Sequence, residues 1–203
     1  MPDYALEDNI GGIIAGVDEV GRGPWAGPVV AAAAIIDRSK LPSEIEVLIN
    51  DSKQLTAQKR AAICPQLMEC CHYHIAQASV AEIDQINIRE ATFLAMRRAI
   101  EGLNITPEAC LIDGNSLPEL PMPAYAVVKG DSTSLSIAVA SIIAKEYRDT
   151  LMRDLATEYP GYGWETNAGY GTKTHQQGLA DHGVTPHHRR SFAPIRARLQ
   201  AAS

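Results

Sequence analysis

Four carboxylates in this chain stand where apolar, strand-like runs give out. Ile13–Val17 ends at Asp18-Glu19, Cys110–Ile112 ends at Asp113-Gly114-Asn115, and Ala124–Val128 ends at Lys129-Gly130-Asp131. In α/β sheets the loops at the carboxyl ends of neighbouring strands converge, and sites gather there. Acids delivered from three strand ends to one edge would repel one another unless cations neutralised them. Oxygen-only donors favour Mg²⁺ or Mn²⁺ over zinc. Two such ions about 4 Å apart can activate a water and stabilise a leaving oxygen in phosphodiester hydrolysis. Each acid also has a plainer role open to it. Asp113 before Gly-Asn can shape a turn, and Asp131 before Ser132 can cap the helix that follows. Adjacent strand residues point to opposite faces. Asp18 and Glu19 therefore share a site only where the strand ends or bulges, which Gly21 and Gly23 make plausible.

The stretch Gly21-Arg22-Gly23-Pro24-Trp25-Ala26-Gly27 has the look of a nucleotide-binding loop, but its third glycine comes one place late. It also leads into an apolar strand, where a dinucleotide site requires a helix N-terminus. Its glycines allow backbone N–H groups to approach a ligand closely. A plain turn between strands is the alternative.

The elements that must position these groups follow from periodicity. Ile13–Val17 and Pro28–Asp37 read as consecutive, centrally buried strands, and Tyr73–Ala78 as a third. Thr56 caps a helix running towards Cys71, which Pro65 should kink or break. Ser79 and Glu82 form a capping box. Ile86, Phe93, Met96 and Ile100 then continue that helix along one apolar face. The short strands Cys110–Ile112 and Ala124–Val128 follow, then a long helix with Leu135, Val139, Ile142, Leu151 and Leu155 inward. Beyond Tyr159 the chain is rich in Gly, Pro and His and is expected to be irregular, with a short helix around His175–His182. This order predicts an α/β fold, a mixed sheet with helices on both sides. The expected organisation is a single domain, 1–203, with an irregular basic segment from about residue 160.

At 46% hydrophobic and 21% charged, the composition is that of a globular protein able to bury its own core. No run approaches the roughly 20 apolar residues of a membrane helix, and MPDYALEDN has neither a basic leader nor an apolar segment. A cytoplasmic, monomeric protein without membrane contact is expected. Cys64, Cys70, Cys71 and Cys110 lack metal-site spacing and read as reduced thiols. The net charge of −6 argues against indiscriminate nucleic-acid binding. Between Pro160 and Gln200, however, Lys173, Arg189, Arg190, Arg196 and Arg198 face only Glu165 and Asp181. Four histidines, His175, His182, His187 and His188, lie in the same stretch.

Asp18-Glu19-Val20-Gly21-Arg22-Gly23-Pro24-Trp25-Ala26-Gly27-Pro28-Val29 resembles the signature of type 2 ribonuclease H, the bacterial ribonuclease HII family. The resemblance continues through Asp51-Ser52-Lys53-Gln54-Leu55, Ile112-Asp113-Gly114, Lys129-Gly130-Asp131 and Ala140-Ser141-Ile142-Ile143-Ala144-Lys145. Arg148-Asp149, Tyr159-Pro160-Gly161-Tyr162-Gly163, Gly169-Tyr170 and His187-His188-Arg189-Arg190-Ser191-Phe192 complete it. The segments run in family order over about Ile13–Pro194. Such a run of motifs is far more specific than any one of them.

The resemblance implies a ribonuclease H-like fold with a central five-stranded mixed sheet flanked by helices. It implies that Asp18, Glu19, Asp113 and Asp131 hold two Mg²⁺ or Mn²⁺ ions and carry catalysis. Gly21, Arg22 and Gly23 match the loop that reads the 2′-hydroxyl, the group separating RNA from DNA locally. Tyr170 matches the tyrosine that packs on the neighbouring deoxyribose. Lys53 and Lys145 match lysines at the site edge or on backbone phosphate. Arg189 and Arg190 match a basic pair that either grips phosphate or braces the fold. The implied activity is cleavage 5′ of ribonucleotides in RNA–DNA hybrids and of single ribonucleotides in duplex DNA. It leaves 3′-hydroxyl and 5′-phosphate ends and serves ribonucleotide removal and DNA repair. Two departures stand out. Thr133, and the pair Asn167-Ala168, occupy positions where many relatives carry charge or a histidine, which should weaken the grip on phosphate. The chain also stops soon after Arg198, so the C-terminal helical extension of some relatives is expected to be missing or reduced.

Overall fold

Two consecutive strands, β1 (Ile14–Val20) and β2 (Val29–Ile36), are buried along nearly their whole length. The unbroken Ile, Val and Ala run of β2 and the apolar first half of β1 suit strands covered on both faces. In the computed structural model, which describes residues 2–50 and 55–201, they pair antiparallel in the register Gly16↔Ala34 to Val20↔Val30. So β1 neither ends nor bulges at Asp18-Glu19, as was expected for a shared site: its pairing with β2 carries it two residues past Asp18. β3 (Cys71–Ala78), β4 (Ala109–Asp113) and β5 (Ala124–Val127) complete a five-stranded sheet of order β3-β2-β1-β4-β5. β4 runs parallel to β1, and β5 parallel to β4. The mixed sheet expected from the sequence is the one observed.

The helices are α1 (Ala5–Ile10), α2 (Ser43–Asn50), α3 (Ala57–Glu69), α4 (Val80–Glu101), α5 (Leu135–Glu158), α6 (Trp164–Asn167), α7 (Lys173–His182) and α8 (Ala193–Ala201). Thr56 caps α3, its hydroxyl accepting from Lys59 N–H at 3.3 Å. Pro65 was expected to kink or break that helix; it does not break it, and α3 runs through. Ile63, Cys64 and Leu67 on its inner face are buried in the core, and that burial outweighs a lost helical bond of about 3 kcal/mol. The capping box forms as read: Ser79 Oγ accepts Glu82 N–H at 3.2 Å, and Glu82 Oε2 accepts Ser79 N–H at 2.8 Å. The helix it opens is not continuous, however. Asn87 sits at φ 69°, ψ 164°, and its Oδ1 accepts the N–H groups of Arg89 and Glu90 at 2.9 and 3.2 Å. Asn87 is thus a second N-cap inside an apolar pattern that reads straight across it.

The chain forms two compact units. The first comprises residues 1–20, 30–77 and 93–146 and contains the sheet. One core joins Val30, Ala32 and Ala34 of β2 to α2, α3 and the first half of α5. A second joins Ile14, Ala109 and Leu111 to Ile137, with Leu6 and Ile10 of α1 alongside. Gly16 is where β1 meets the start of α5: a Cβ there would lie 2.1 Å from the Ser136 carbonyl carbon.

The second unit comprises residues 21–29, 78–92 and 147–203. Its core gathers Ala26, Met152, Tyr162, Trp164, Leu179 and Ile195. The segment beyond residue 160, expected to be irregular, carries three short helices, of which only the one near His175–His182 was anticipated. Among the described residues all four cysteines are free, as expected, and no helix is long and apolar enough to cross a membrane.

Candidate active site

β1 and β4 are in parallel register at Val17↔Ile112, and the next residue on each is an aspartate. Asp18 is only 7% exposed. Its Oδ1 accepts the Glu19 N–H at 2.7 Å, and the Ser141 hydroxyl of α5 also bonds to the carboxyl. Burial pushes the Asp18 carboxyl up to about 8; the Ser141 bond opposes that rise, while the charges of Glu19 and Asp113 add to it. Glu19, Asp113 and Asp131 are half-buried.

The helix cap open to Asp131 is supplied by other residues, and Asp113 ties two loops together. Asp113 Oδ1 reaches across to accept the Gly130 N–H at 2.6 Å, tying the end of β4 to the single 3₁₀ turn Gly130–Ser132 that carries Asp131. The α5 N-cap is Ser134, whose hydroxyl accepts Ile137 N–H at 3.2 Å. Glu7 of α1 completes that cap: its Oε1 accepts the Ser134 and Ser136 hydroxyls, both at 2.7 Å, and the Ser136 N–H at 3.0 Å. Asp131 therefore stands ahead of a helix that others cap.

Among the described residues, no three His, Cys, Asp or Glu side chains stand close enough to hold a metal ion as they are. A cation would have to draw the carboxylates inward. The donor set still fits a hard divalent ion, because it is all oxygen. The raised Asp18 carboxyl also marks a place where negative charge is costly until a cation arrives.

In the second unit, the loop Gly21–Pro28 is held from beneath by two buried arginines. Arg148 donates to the carbonyls of Pro28 (Nε, 3.1 Å), Ala168 (Nη1, 2.9 Å) and Ala26 (Nη2, 3.1 Å). Arg189 donates to those of Gly27 (Nε, 2.9 Å), Arg22 (Nη1, 2.8 Å) and Gly21 (Nη2). Burial lowers Arg148 to about 10. Burial, then the charge of Arg148, lowers Arg189 to about 9, so both stay charged at neutral pH. Gly21 has φ +90°, and a Cβ there would lie 2.1 Å from Arg148 Nε, so only glycine fits over the guanidinium.

Arg22 and Gly23 are exposed, and the Tyr170 ring, 48% exposed, lies beside them. A Cβ added to Gly23 would come 3.2 Å from Tyr170 Cε1. Asn167 organises the turn before Tyr170: its Nδ2 donates to Tyr162 O and Thr172 Oγ1, and its Oδ1 accepts Gly169 N–H at 2.9 Å. Asn167 is thus a staple of this loop.

The basic pair divides. Arg189 was expected either to grip phosphate or to brace the fold; fully buried on three carbonyls, it braces the fold and has no path to solvent. Arg190 is exposed, and its N–H donates to Asp84 Oδ2 at 2.9 Å, while Ser191 gives Asp84 Oδ1 its N–H and hydroxyl. Lys53 lies outside the described residues. Arg148 carried no expected role, although its place four residues from both Ala144 and Met152, each buried, marks an arginine on the inner face of α5.

This sheet order, with acids at the ends of its central parallel strands, defines a protein of ribonuclease H-like fold. The ribonuclease H2 of Pyrococcus horikoshii OT3 superposes with a TM-score of 0.79 at 26% identity, covering 93% of this chain and 97% of its own. A Bst-RNase HIII solved in complex with Mn²⁺ shares the fold at TM-score 0.75 and 23% identity, over 100% of this chain and 74% of that one. The family profile described as Ribonuclease HII matches residues 15–195. Ribonuclease HII of Jannaschia sp. (strain CCS1) is 55% identical over 96% of both chains. That of Gluconobacter oxydans (strain 621H) is 55% identical over 99% of this chain and 98% of its own. The chain belongs to the ribonuclease HII family, and its activity is that of a type 2 ribonuclease H endonuclease.

Proposed function

We propose that this enzyme hydrolyses the phosphodiester bond 5′ of a ribonucleotide, both in RNA–DNA hybrids and at single ribonucleotides in duplex DNA. The products carry 3′-hydroxyl and 5′-phosphate ends, and the cellular role is ribonucleotide removal in the cytoplasm by a monomer. The observation that carries this reading is the nearness of Gly23 to the exposed Tyr170 ring, where an added Cβ would come 3.2 Å from Cε1; it supports a backbone reader beside a flat apolar face. The Gly21-Arg22-Gly23 backbone offers hydrogen bonds to a 2′-hydroxyl, and the ring excludes a second hydroxyl from the next sugar. Asp18, Glu19, Asp113 and Asp131 would hold two Mg²⁺ or Mn²⁺ ions; a structural relative solved with Mn²⁺ supports this choice. When bound, such ions supply an activated water and charge stabilisation at the leaving 3′-oxygen. The chain's own residues do the positioning. Ser141 and the Glu19 N–H fix the Asp18 carboxyl, and the Asp113–Gly130 bond fixes the turn bearing Asp131. Arg190 and Lys53 would contact backbone phosphate, and Arg189 acts through the loop it carries. The test is cleavage of an end-labelled DNA duplex containing one ribonucleotide, with Mg²⁺ or Mn²⁺ and the cut mapped. A cut anywhere other than 5′ of the ribonucleotide, or none, overturns the proposal.

A further inference from the structure

We infer that His175 and His188 form a buried relay that fixes the backbone of Tyr170 and thereby sets how sharply a single ribonucleotide is preferred over a ribonucleotide run. The inference rests on the junction-reading role proposed for Tyr170. Both imidazoles are buried, His175 completely and His188 to within 1%. His188 Nδ1 lies 3.0 Å from Thr185 N and 2.9 Å from Thr185 Oγ1. A backbone N–H can only donate, so Nδ1 is bare and the proton of a neutral His188 sits on Nε2. That Nε2–H points at His175 Nε2, 3.0 Å away, which also receives the Trp164 indole N–H at 3.1 Å. A nitrogen that accepts carries no proton, so His175 is protonated on Nδ1, which lies 2.9 Å from the Tyr170 carbonyl and donates to it. Each tautomer is thus dictated by the next group along, from Thr185 to Tyr170.

The relay ends on a peptide whose other groups are also tied. The Tyr170 carbonyl accepts Thr172 N–H at 2.8 Å, and Tyr170 N–H donates to Asn167 O at 2.9 Å. Gly171 is pressed so closely on the Trp25 indole that a Cβ would come within 2.1 Å of it. The ring alone is left free to meet a ligand. A charged His188 would aim a second N–H at the Thr185 N–H. Burial chiefly, and then His175, hold His188 down to about 3, and burial lowers His175 as well, so the neutral relay persists at working pH. His175 and His188 are positioning residues: they touch no substrate and act through the Tyr170 main chain.

Two substitutions separate this role from mere packing. In His175→Gln the side-chain oxygen reaches the old Nε2 position, so Trp164 and His188 keep their acceptor while Tyr170 loses its donor. In His175→Asn the amide nitrogen takes the Nδ1 position and keeps the Tyr170 bond, while Trp164 and His188 lose theirs. The measurement is kcat/KM on a single-ribonucleotide duplex divided by kcat/KM on a long RNA–DNA hybrid, alongside the melting temperature. His175→Gln should lower this ratio roughly tenfold while melting closer to wild type. His175→Asn should keep the ratio within about twofold despite the larger drop in melting temperature. Tyr170→Ala is the control. If it lowers the ratio and His175→Gln does not, the relay inference falls; if Tyr170→Ala leaves the ratio unchanged, the junction reading falls and the inference with it. Should His175→Gln fail to fold, nitrogen-15 NMR of the wild-type protein still decides. Protons on His175 Nδ1 and His188 Nε2 support the relay, and the opposite tautomer of either overturns it.

Discussion

Replacing Asp18 with Asn should stabilise the metal-free protein, and by more as the pH rises. Asp18 is buried at the end of β1, and burial with its acidic neighbours lifts its carboxyl from an ordinary 3.8 to about 8. A folded-state value raised above the unfolded one near 4 favours the protonated fold. That stability is fully present below about pH 4 and is lost as pH climbs to about 8. At about 1.4 kcal/mol per pH unit the interval sets a ceiling of about 6 kcal/mol. Relaxation and water entry around a buried charge reduce this to on the order of 2–3 kcal/mol. Asparagine stays neutral and can still accept the Glu19 N–H through its amide oxygen. For a chain of this size, about 1 kcal/mol moves the melting temperature by about 2–4 °C. Asp18→Asn should therefore melt about 5–10 °C above wild type in EDTA at pH 8.5, with the difference vanishing towards pH 4. Added Mg²⁺ or Mn²⁺ should reverse the order, because only the wild type gains fully from binding, and cleavage by the variant should be abolished. Thermal melts across pH, with and without chelator, make the test. If the metal-free variant is no more stable than wild type at pH 8.5, or the difference ignores pH, the electrostatic account of the site is refuted.

Arg189→Lys leaves at least two of the carbonyls of Gly21, Arg22 and Gly27 without a donor, at about 1–3 kcal/mol each; denaturant unfolding should show a loss of about 2–4 kcal/mol. Tyr170→Ala should cost about 1–3 kcal/mol of transition-state positioning on a single-ribonucleotide duplex and less on a long hybrid, with Tyr170→Phe near wild type, as steady-state kinetics on both substrates would show. Binding of a catalytically dead variant to duplex should fall with salt at a slope of only a few units, given about −0.9 per phosphate contact, a net charge of −6 and a buried Arg189; a slope near −10 would contradict this.

The sheet was legible because its strands announce themselves. β2 is an unbroken apolar run, β1 opens on one that gives way to acid, and the Ser79–Glu82 box marks its helix start to the residue. The acids late in β1 and at the end of β4 followed from the same pattern. The break at Asn87 was hidden, because Ile86 and Phe93 are seven apart and seven residues suit one straight helix as well as two joined ones. Pro65 misled for the opposite reason, a local rule overridden by Ile63, Cys64 and Leu67 in the core. Helix α8 went unseen because its apolar side is thin, essentially Ile195 and Leu199 among arginines. The roles of Arg148, Arg189, His175 and His188 were illegible in principle. The arginines are defined by carbonyls distant in sequence and the histidines by each other's ring nitrogen, and the spacing that turns Arg148 inward does not say what it will hold.

The two arginines beneath the loop bear on any attempt to transplant it. The shape of Gly21–Pro28 is stored elsewhere in the chain, in Arg148, Arg189 and the turn that ends at Ala168, whose carbonyl shares Arg148 with the loop. Moving the eight-residue loop alone into another scaffold would carry its letters without its form. A portable unit needs the arginines and the Asn167–Gly171 turn as well, so a graft of all of these should recognise a lone ribonucleotide where the bare loop does not. Binding of each graft to a duplex with and without one ribonucleotide would show whether recognition travels with the loop or with what holds it.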